Sequence, residues 1–181
     1  MKWNELRHNL QFCCGLAVLC FCATIQASDA TDVRATVDQV FQQLKAKDYN
    51  SLYDFLPASS RARITRERFS SSLRAAQNIY SLDRMDVGAV KVAGDLAVVD
   101  TVLYGRVMLP VETEGKIVVQ QYLVREEGKW RVATGDRSTV DRFLKANPAF
   151  RKSFSIRQPR IYVKQNGRWV EFTPPRRAIR R

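Results

Sequence analysis

The stretch that decides the fold is LAVVDTVLYGRVMLPVETEGKIVVQQYLVREEGKWRVA, residues Leu96–Ala133. Three runs in it alternate apolar with other residues, and this period of two is typical of β-strands. The runs are Leu96–Leu109, Lys116–Arg125 and Lys129–Ala133. Turn-forming residues separate them, so the stretch predicts an antiparallel meander. The middle run carries apolar residues on both faces, which indicates a central strand covered on both sides.

Helical periodicity precedes this sheet. From Ser28 onward, apolar residues at helical spacing predict a long amphipathic helix, for which Thr31 is a good N-cap residue. Its apolar positions are Val33, Val37, Val40, Phe41 and Leu44. The run SLYDFL at Ser51–Leu56 predicts a short second helix, which Pro57 ends. We expect residues 58–64 to connect it to a third helix.

The third helix completes the predicted helical layer. Thr65 can cap it, and Phe69, Leu73 and Ala76 share one of its faces. Residues 79–92 form a weaker β-region that leads into the meander. Three helices followed by about four antiparallel strands indicate an α+β fold, with the helices packed on one face of the sheet.

The first 27 residues have the pattern of a secretory signal peptide. Lys2 and Arg7 precede an apolar run at Phe12–Ile25, which is shorter than the ~20 residues of a membrane-spanning helix. We expect cleavage after Ala27 or Ala30 and export to the periplasm or the medium. The alternative is an uncleaved N-terminal membrane anchor.

Cysteine and histidine occur only in this N-terminal segment. They are Cys13, Cys14, Cys20, Cys22 and His8. A cleaved chain would therefore have no disulfide, thiolate nucleophile, Cys/His metal site or histidine-based catalytic triad. We accordingly expect neither a metal nor a cofactor.

Charge is divided unevenly along the chain, whose formal net charge is +12. Residues 28–136 hold 15 basic and 15 acidic side chains, whereas residues 137–181 hold 13 basic and 2 acidic ones, a net charge of +11. We expect this basic extension to bind an anionic envelope surface. The candidate binding residues are Arg157, Arg160, Lys164, Arg168, Arg176, Arg177, Arg180 and Arg181.

The extension also contains predicted structure. A short helix after Asp136 is followed by a β-hairpin over residues 161–172, because Asn166-Gly167 between alternating runs is a strong two-residue turn signal. Since an isolated hairpin is marginally stable, we expect its apolar face to dock on the domain or on another chain. Residues 173–181 lack a core-forming pattern and are expected to be mobile.

Over about residues 31–136, the sequence resembles the nuclear transport factor 2-like (NTF2-like, cystatin-like) superfamily. The resemblance rests on the long helix, SLYDFLP, TRERFSSSLRAA and REEGKWRVATGD. It implies a curved sheet wrapped on the long helix around a conical cavity, which serves catalysis in some members and binding in others. It also implies a homodimer that pairs through the sheet.

Several polar residues could line such a cavity. The candidate ligand-binding residues are Tyr53, Asp86, Asp100, Tyr104, Arg106, Gln120 and Tyr122. No family motif aligns with them, so none is assigned a catalytic role. We expect an exported, non-catalytic module that binds a small apolar ligand or a protein partner. The alternative is a cavity enzyme with Asp/Tyr acid-base chemistry, isomerase-like or dehydratase-like.

A third hypothesis is a nucleic-acid binder in which Tyr162 and Trp169 stack on bases. The predicted export signal argues against a nucleic-acid partner.

Overall fold

The computed structural model describes residues 28–76, 80–108, 112–133 and 137–172. Helix α1 covers residues 28–46, and the next helices are α2 (Tyr49–Tyr53), α3 (Ala58–Arg61) and α4 (Arg66–Ala76). The strands that follow are β1 (Tyr80–Ala93), β2 (Leu96–Val107), β3 (Thr113–Glu126) and β4 (Lys129–Ala133). The chain continues with α5 (Arg137–Ala146), α6 (Ala149–Ser153), β5 (Arg160–Gln165) and β6 (Arg168–Glu171). The predicted signal peptide and the predicted mobile tail lie outside the described residues.

All six of these strands form one antiparallel sheet. Its order is β1-β2-β3-β5-β6, and β4 also pairs with β3. Strand β2 runs along one side of β3 for almost its whole length, while β5 pairs with residues 115–118 of β3 and β4 with residues 122–126. Strands β4 and β5 therefore share the second side of β3, one near each end.

The N-terminal helices cover one face of the sheet. The side chains that meet there form cluster 1, which comprises Val33, Val37, Val40, Tyr49, Leu52, Leu56, Phe69, Ala97, Val99, Leu123, Trp130 and Val132. The apolar stripe predicted on α1 supplies its first three members, and Phe41 is also buried. The expected helix-on-sheet packing is thus present, and the interior between these layers holds core side chains.

The C-terminal helices cover part of the opposite face. There, cluster 2 comprises Val98, Tyr122, Val124, Ala133, Phe143, Leu144 and Phe150. Neighbouring residues of β3 therefore point into different clusters, Leu123 into cluster 1 and Val124 into cluster 2. This arrangement explains why the middle run of the meander is apolar on both faces. No helix in the described part of the chain is long and apolar enough to cross a bilayer.

The prediction of three N-terminal helices was wrong, because four helical segments precede the sheet. The additional one, α3, lies in the expected connector. Its amides at Ser60 and Arg61 donate to the Pro57 carbonyl at 2.9 and 3.0 Å. The Glu126 carboxylate on β3 accepts the Ala58 amide at 2.9 Å, and local periodicity does not reveal this long-range cap.

Thr31 lies inside α1 rather than capping it. The helix extends before Thr31, and Asp29 forms an ion pair there with Arg125 on β3 at 2.6 Å. At α4 the predicted cap is correct, because the Thr65 hydroxyl accepts the Arg68 amide at 3.3 Å. The sequence therefore predicted the cap at Thr65 and the helical start at Ser28, but not the ion pair that joins this start to a distant strand.

The predicted β-hairpin is present with its two-residue turn. Asn166 and Gly167 have φ of 49° and 77°, and Gln165 pairs with Arg168 across the turn. The hairpin joins the domain through its edge, by hydrogen bonding to β3, and not through its apolar face. On that face Ile161 and Val163 are half-buried, whereas Val170 and Phe172 are exposed at 42% and 45%.

Candidate functional site

Three of the seven candidate ligand-binding residues meet on the sheet face that α5 and α6 cover. Asp100 on β2 lies directly opposite Gln120 on β3, and Tyr122 follows Gln120 on the same face. The Gln120 side-chain amide donates to Asp100 at 3.2 Å and to the Ser155 carbonyl at 3.3 Å. These contacts create a polar cluster at the border of cluster 2.

The polar cluster is closed by the chain that follows α6. The side-chain oxygen Oε1 of Gln120 accepts hydrogen bonds from the Tyr122 hydroxyl at 3.2 Å and from the Arg157 backbone amide at 2.7 Å. The Arg157 guanidinium contacts the Asp100 carboxylate in an ion pair. Every polar atom of the Gln120 side chain therefore has a partner, and the cluster fastens the segment around Arg157 to the sheet.

The same contacts determine the direction in which the pKa values of Asp100 and Tyr122 are shifted. Partial burial raises the pKa of Asp100, but the hydrogen bonds from Arg157 and Gln120 outweigh it, so the pKa lies below its ordinary value. Burial raises the pKa of the Tyr122 hydroxyl. An ionised Asp100 held by a guanidinium and a neutral Tyr122 are poorly matched to proton transfer, which needs an acid or base with a pKa near the operating pH.

Tyr104 and Arg106 lie further along the same face of β2, in a separate open groove of about 490 Å³. The Tyr104 ring packs edge-on against Trp169 with centroids 6.5 Å apart, and the Arg84 guanidinium lies 4.1 Å from its centroid. Arg106 pairs with Glu112 at 3.5 Å. Tyr104 and Arg106 thus already have partners within the chain.

Asp86 and Tyr53 belong to neither group. Asp86 lies on the edge strand β1 and pairs with Arg84 at 3.4 Å. Tyr53 packs beside cluster 1, across the sheet from Asp100. Its hydroxyl donates to the carbonyls of Arg61 and Ile64 at 3.2 and 2.9 Å, which joins α2 to the end of α3 and to the turn before α4. The seven residues therefore do not form one cavity.

Four of the eight basic candidates lie in the described chain. Arg157 is paired with Asp100, and the Lys164 ammonium is paired with Glu114 at 2.8 Å. Arg160 and Arg168 are exposed. The remaining four, at positions 176, 177, 180 and 181, lie outside the described residues.

Lys116 contacts two aromatic rings of the hairpin, and the sequence did not predict these contacts. Its ammonium lies 5.1 Å from the Tyr162 ring centroid and 4.7 Å from that of Trp169. Tyr162 and Trp169 share a face, as the predicted hairpin register requires. No local signal pairs β5 with β3, so the sequence could not place Lys116 between the two rings. Within the described ranges, no group of three or more His, Cys, Asp or Glu residues could hold a metal ion.

Comparisons with known proteins give matches only among solved structures. The chain matches no protein-family model, and no curated protein matches it. Similar structures include a SEC-C motif containing protein from Rhodopseudomonas palustris, which is 14% identical to this chain and has a TM-score of 0.48. The match covers 59% of this chain and 79% of that chain.

Two further similar structures are NTF2-like proteins. The one from Streptomyces avermitilis has 14% identity and a TM-score of 0.46, and the match covers 59% of this chain and 92% of that chain. The one from Cytophaga hutchinsonii has 15% identity and a TM-score of 0.38, with 55% and 88% covered. The solved structures similar to this chain therefore include proteins of the family that its sequence resembles.

Proposed function

We propose that this chain is an exported, non-catalytic binding module whose basic C-terminal extension attaches it to an anionic envelope surface. The observation that carries the proposal is the ion pair between Arg157 and Asp100. This contact occupies the carboxylate best placed for acid-base chemistry. It also holds the start of the basic hairpin segment on the sheet.

The charge distribution supports attachment through the extension. Residues 137–181 carry almost all of the net charge of the chain, and Arg160 and Arg168 are exposed on the hairpin. Each basic residue near an anionic membrane contributes about 1 kcal/mol. Charges in physiological salt act over only about 8 Å, so binding of this kind weakens steeply as salt rises.

The expected conical cavity is filled by core side chains, and this favours an anionic surface over a small apolar ligand as the partner. Cluster 1 occupies the region between the N-terminal helices and the sheet where a conical cavity was expected. The groove beside Tyr104 is open and is lined by Asp83, Arg106, Glu112 and Glu114 among others. A groove with so many charges is a poor match for an apolar molecule.

Co-sedimentation with vesicles tests the proposal. The full chain should bind mixed phosphatidylglycerol and phosphatidylcholine vesicles and not pure phosphatidylcholine, and dextran sulfate should compete. The variant that changes Arg176, Arg177, Arg180 and Arg181 to Gln should bind several-fold more weakly. The control changes Arg63, Arg68, Arg74 and Lys129 to Gln, which removes the same charge from exposed positions outside the extension. Equal loss in both variants would refute attachment through the extension.

Export is tested separately by mass spectrometry of the protein purified from the envelope of its host. We expect a mature N-terminus at Ser28 or Thr31, because small residues at the end of the apolar run fit signal cleavage. Recovery of the chain with Met1 intact would contradict cleavage.

A further inference from the structure

The end of the sheet that carries the hairpin has an apolar face that is half-buried along β2, β3 and β5 and exposed at Val170 and Phe172. Register places cross-strand neighbours on this face in two rows, Leu103 with Ile117 and Ile161, and Gly115 with Val163 and Val170. Phe172 donates its amide to the Ile161 carbonyl and continues the face. This is the side of the sheet that cluster 1 occupies, but none of these residues belongs to that cluster. We call them the hairpin apolar face.

Charges are sorted between the two sides of this end of the sheet. Glu114, Lys116, Lys164 and Glu171 point to the opposite side, as the alternation along the strands requires. On the hairpin apolar face, the one charged residue among the described strand positions is Arg168, which precedes Val170 and Phe172 by two and four residues. This face is therefore apolar and cationic, without a carboxylate.

The sequence that directly follows the hairpin apolar face is also positively charged. Strand β6 ends at Glu171, and the exposed Phe172 follows it. The next nine residues are TPPRRAIRR, with four arginines and no acidic residue. An apolar surface beside a basic segment is the combination that binds the interface of an anionic bilayer, since apolar side chains enter the acyl boundary while arginines meet the headgroups.

We propose that the hairpin apolar face, with Val170 and Phe172 at its exposed edge, inserts into the interface of an anionic lipid bilayer. The inference rests on the proposed attachment to an anionic surface and names lipid as the partner. A second copy of the chain fits this face less well, because self-pairing would bury two Arg168 side chains in the contact without a carboxylate on either face. A bilayer of phosphatidylglycerol offers charge of the opposite sign.

The test compares substitutions of side chains that lie on opposite faces of the hairpin. The full-length double variant Val170→Ser, Phe172→Ser should bind phosphatidylglycerol-containing vesicles at least about tenfold more weakly than the natural chain, because burying apolar side chains contributes to interfacial binding. The matched control is Trp169→Ser, whose side chain is 37% exposed on the other face of the same strand. It should bind as the natural chain does. Circular dichroism should show all three proteins folded.

Salt dependence provides a measurement that needs no variant. Insertion of apolar groups survives screening, so the natural chain should keep part of its vesicle binding at a salt concentration that releases it from dextran sulfate. Complete release from both, or unchanged binding of the double variant, would overturn insertion while leaving charge-based attachment intact. Failure of the natural chain to bind either anionic probe would instead overturn the proposed function. A dimer in light scattering that the double variant dissociates would assign the face to self-association.

Discussion

The attachment of the C-terminal helices is tested most directly at Phe150, whose side chain is 0% exposed in cluster 2. Its ring centroid lies 5.8 Å from Tyr122, 5.5 Å from Phe143 and 6.0 Å from Phe154. Truncating a core phenylalanine costs about 3 to 5 kcal/mol. Each aromatic pair contributes about 0.5 to 1.5 kcal/mol beyond area burial. We therefore expect Phe150→Ala to lower the free energy of unfolding by about 4 to 5 kcal/mol, the upper part of that range.

Urea unfolding followed by circular dichroism measures this change. With a slope of about 2 kcal/mol per molar urea, the midpoint should fall by about 2 M. Phe172→Ala is the matched control, since the same atoms are removed from a side chain that is largely exposed. It should change the free energy of unfolding by less than about 1 kcal/mol.

Two results would refute the packing described for cluster 2. Equal stability of the Phe150→Ala and Phe172→Ala variants would show that Phe150 is not buried against the sheet. A Phe150→Ala variant that loses helical signal in a separate early transition, with the main midpoint unchanged, would show that α5 and α6 fold independently of the sheet.

Three further changes have defined outcomes. Phe41→Ala should cost about 3 to 5 kcal/mol in urea unfolding because the side chain is buried, and a loss under about 1 kcal/mol would contradict the helix face. Asp100→Asn should cost about 1 kcal/mol, since Arg157 is partly exposed. Folding lowers the pKa of Asp100, so the difference in the free energy of unfolding between the natural chain and this variant should be complete above pH about 4. The difference should vanish as the pH falls through the folded-state pKa. Urea unfolding at a series of pH values measures it. Gly105→Ala should destabilise by about 1 to 3 kcal/mol or more in thermal unfolding, since its Cβ would lie 1.9 Å from the Ser81 carbonyl oxygen; an unchanged midpoint would contradict the β1–β2 register.

Local patterns predicted the elements that local interactions stabilise. The meander, the cap at Thr65 and the Asn166-Gly167 turn are correct because period-two alternation, a side-chain cap and positive φ are properties of a few adjacent residues. The apolar residues on both faces of β3 also predicted that both faces of this strand would be covered. The sequence did not indicate which segment provides the second cover, because packing of Phe150 on Tyr122 joins elements distant in the chain.

The candidate site was predictable only within one pair of strands. Asp100, Gln120 and Tyr122 share a face by alternation and meet once β2 and β3 pair. Arg157 was predicted as a surface cation, and its contact with Asp100 depends on how the chain returns after α6. Tyr53 was expected near the others because side-chain chemistry alone does not reveal which side of a sheet a residue occupies.

The division of one side of β3 between β4 and β5 has a consequence for solubility. Strand edges with unpaired backbone groups are templates for aggregation. Strand β4 pairs with residues 122–126, so without β5 residues 115–118 would expose such an edge beside the apolar Ile117. The hairpin covers it and moves the free edge to β6, which is only four residues long and begins at Arg168. A short, charged edge strand is a common natural protection against intermolecular strand pairing, so the extension that carries the positive charge also leaves a protected edge on this side of the sheet.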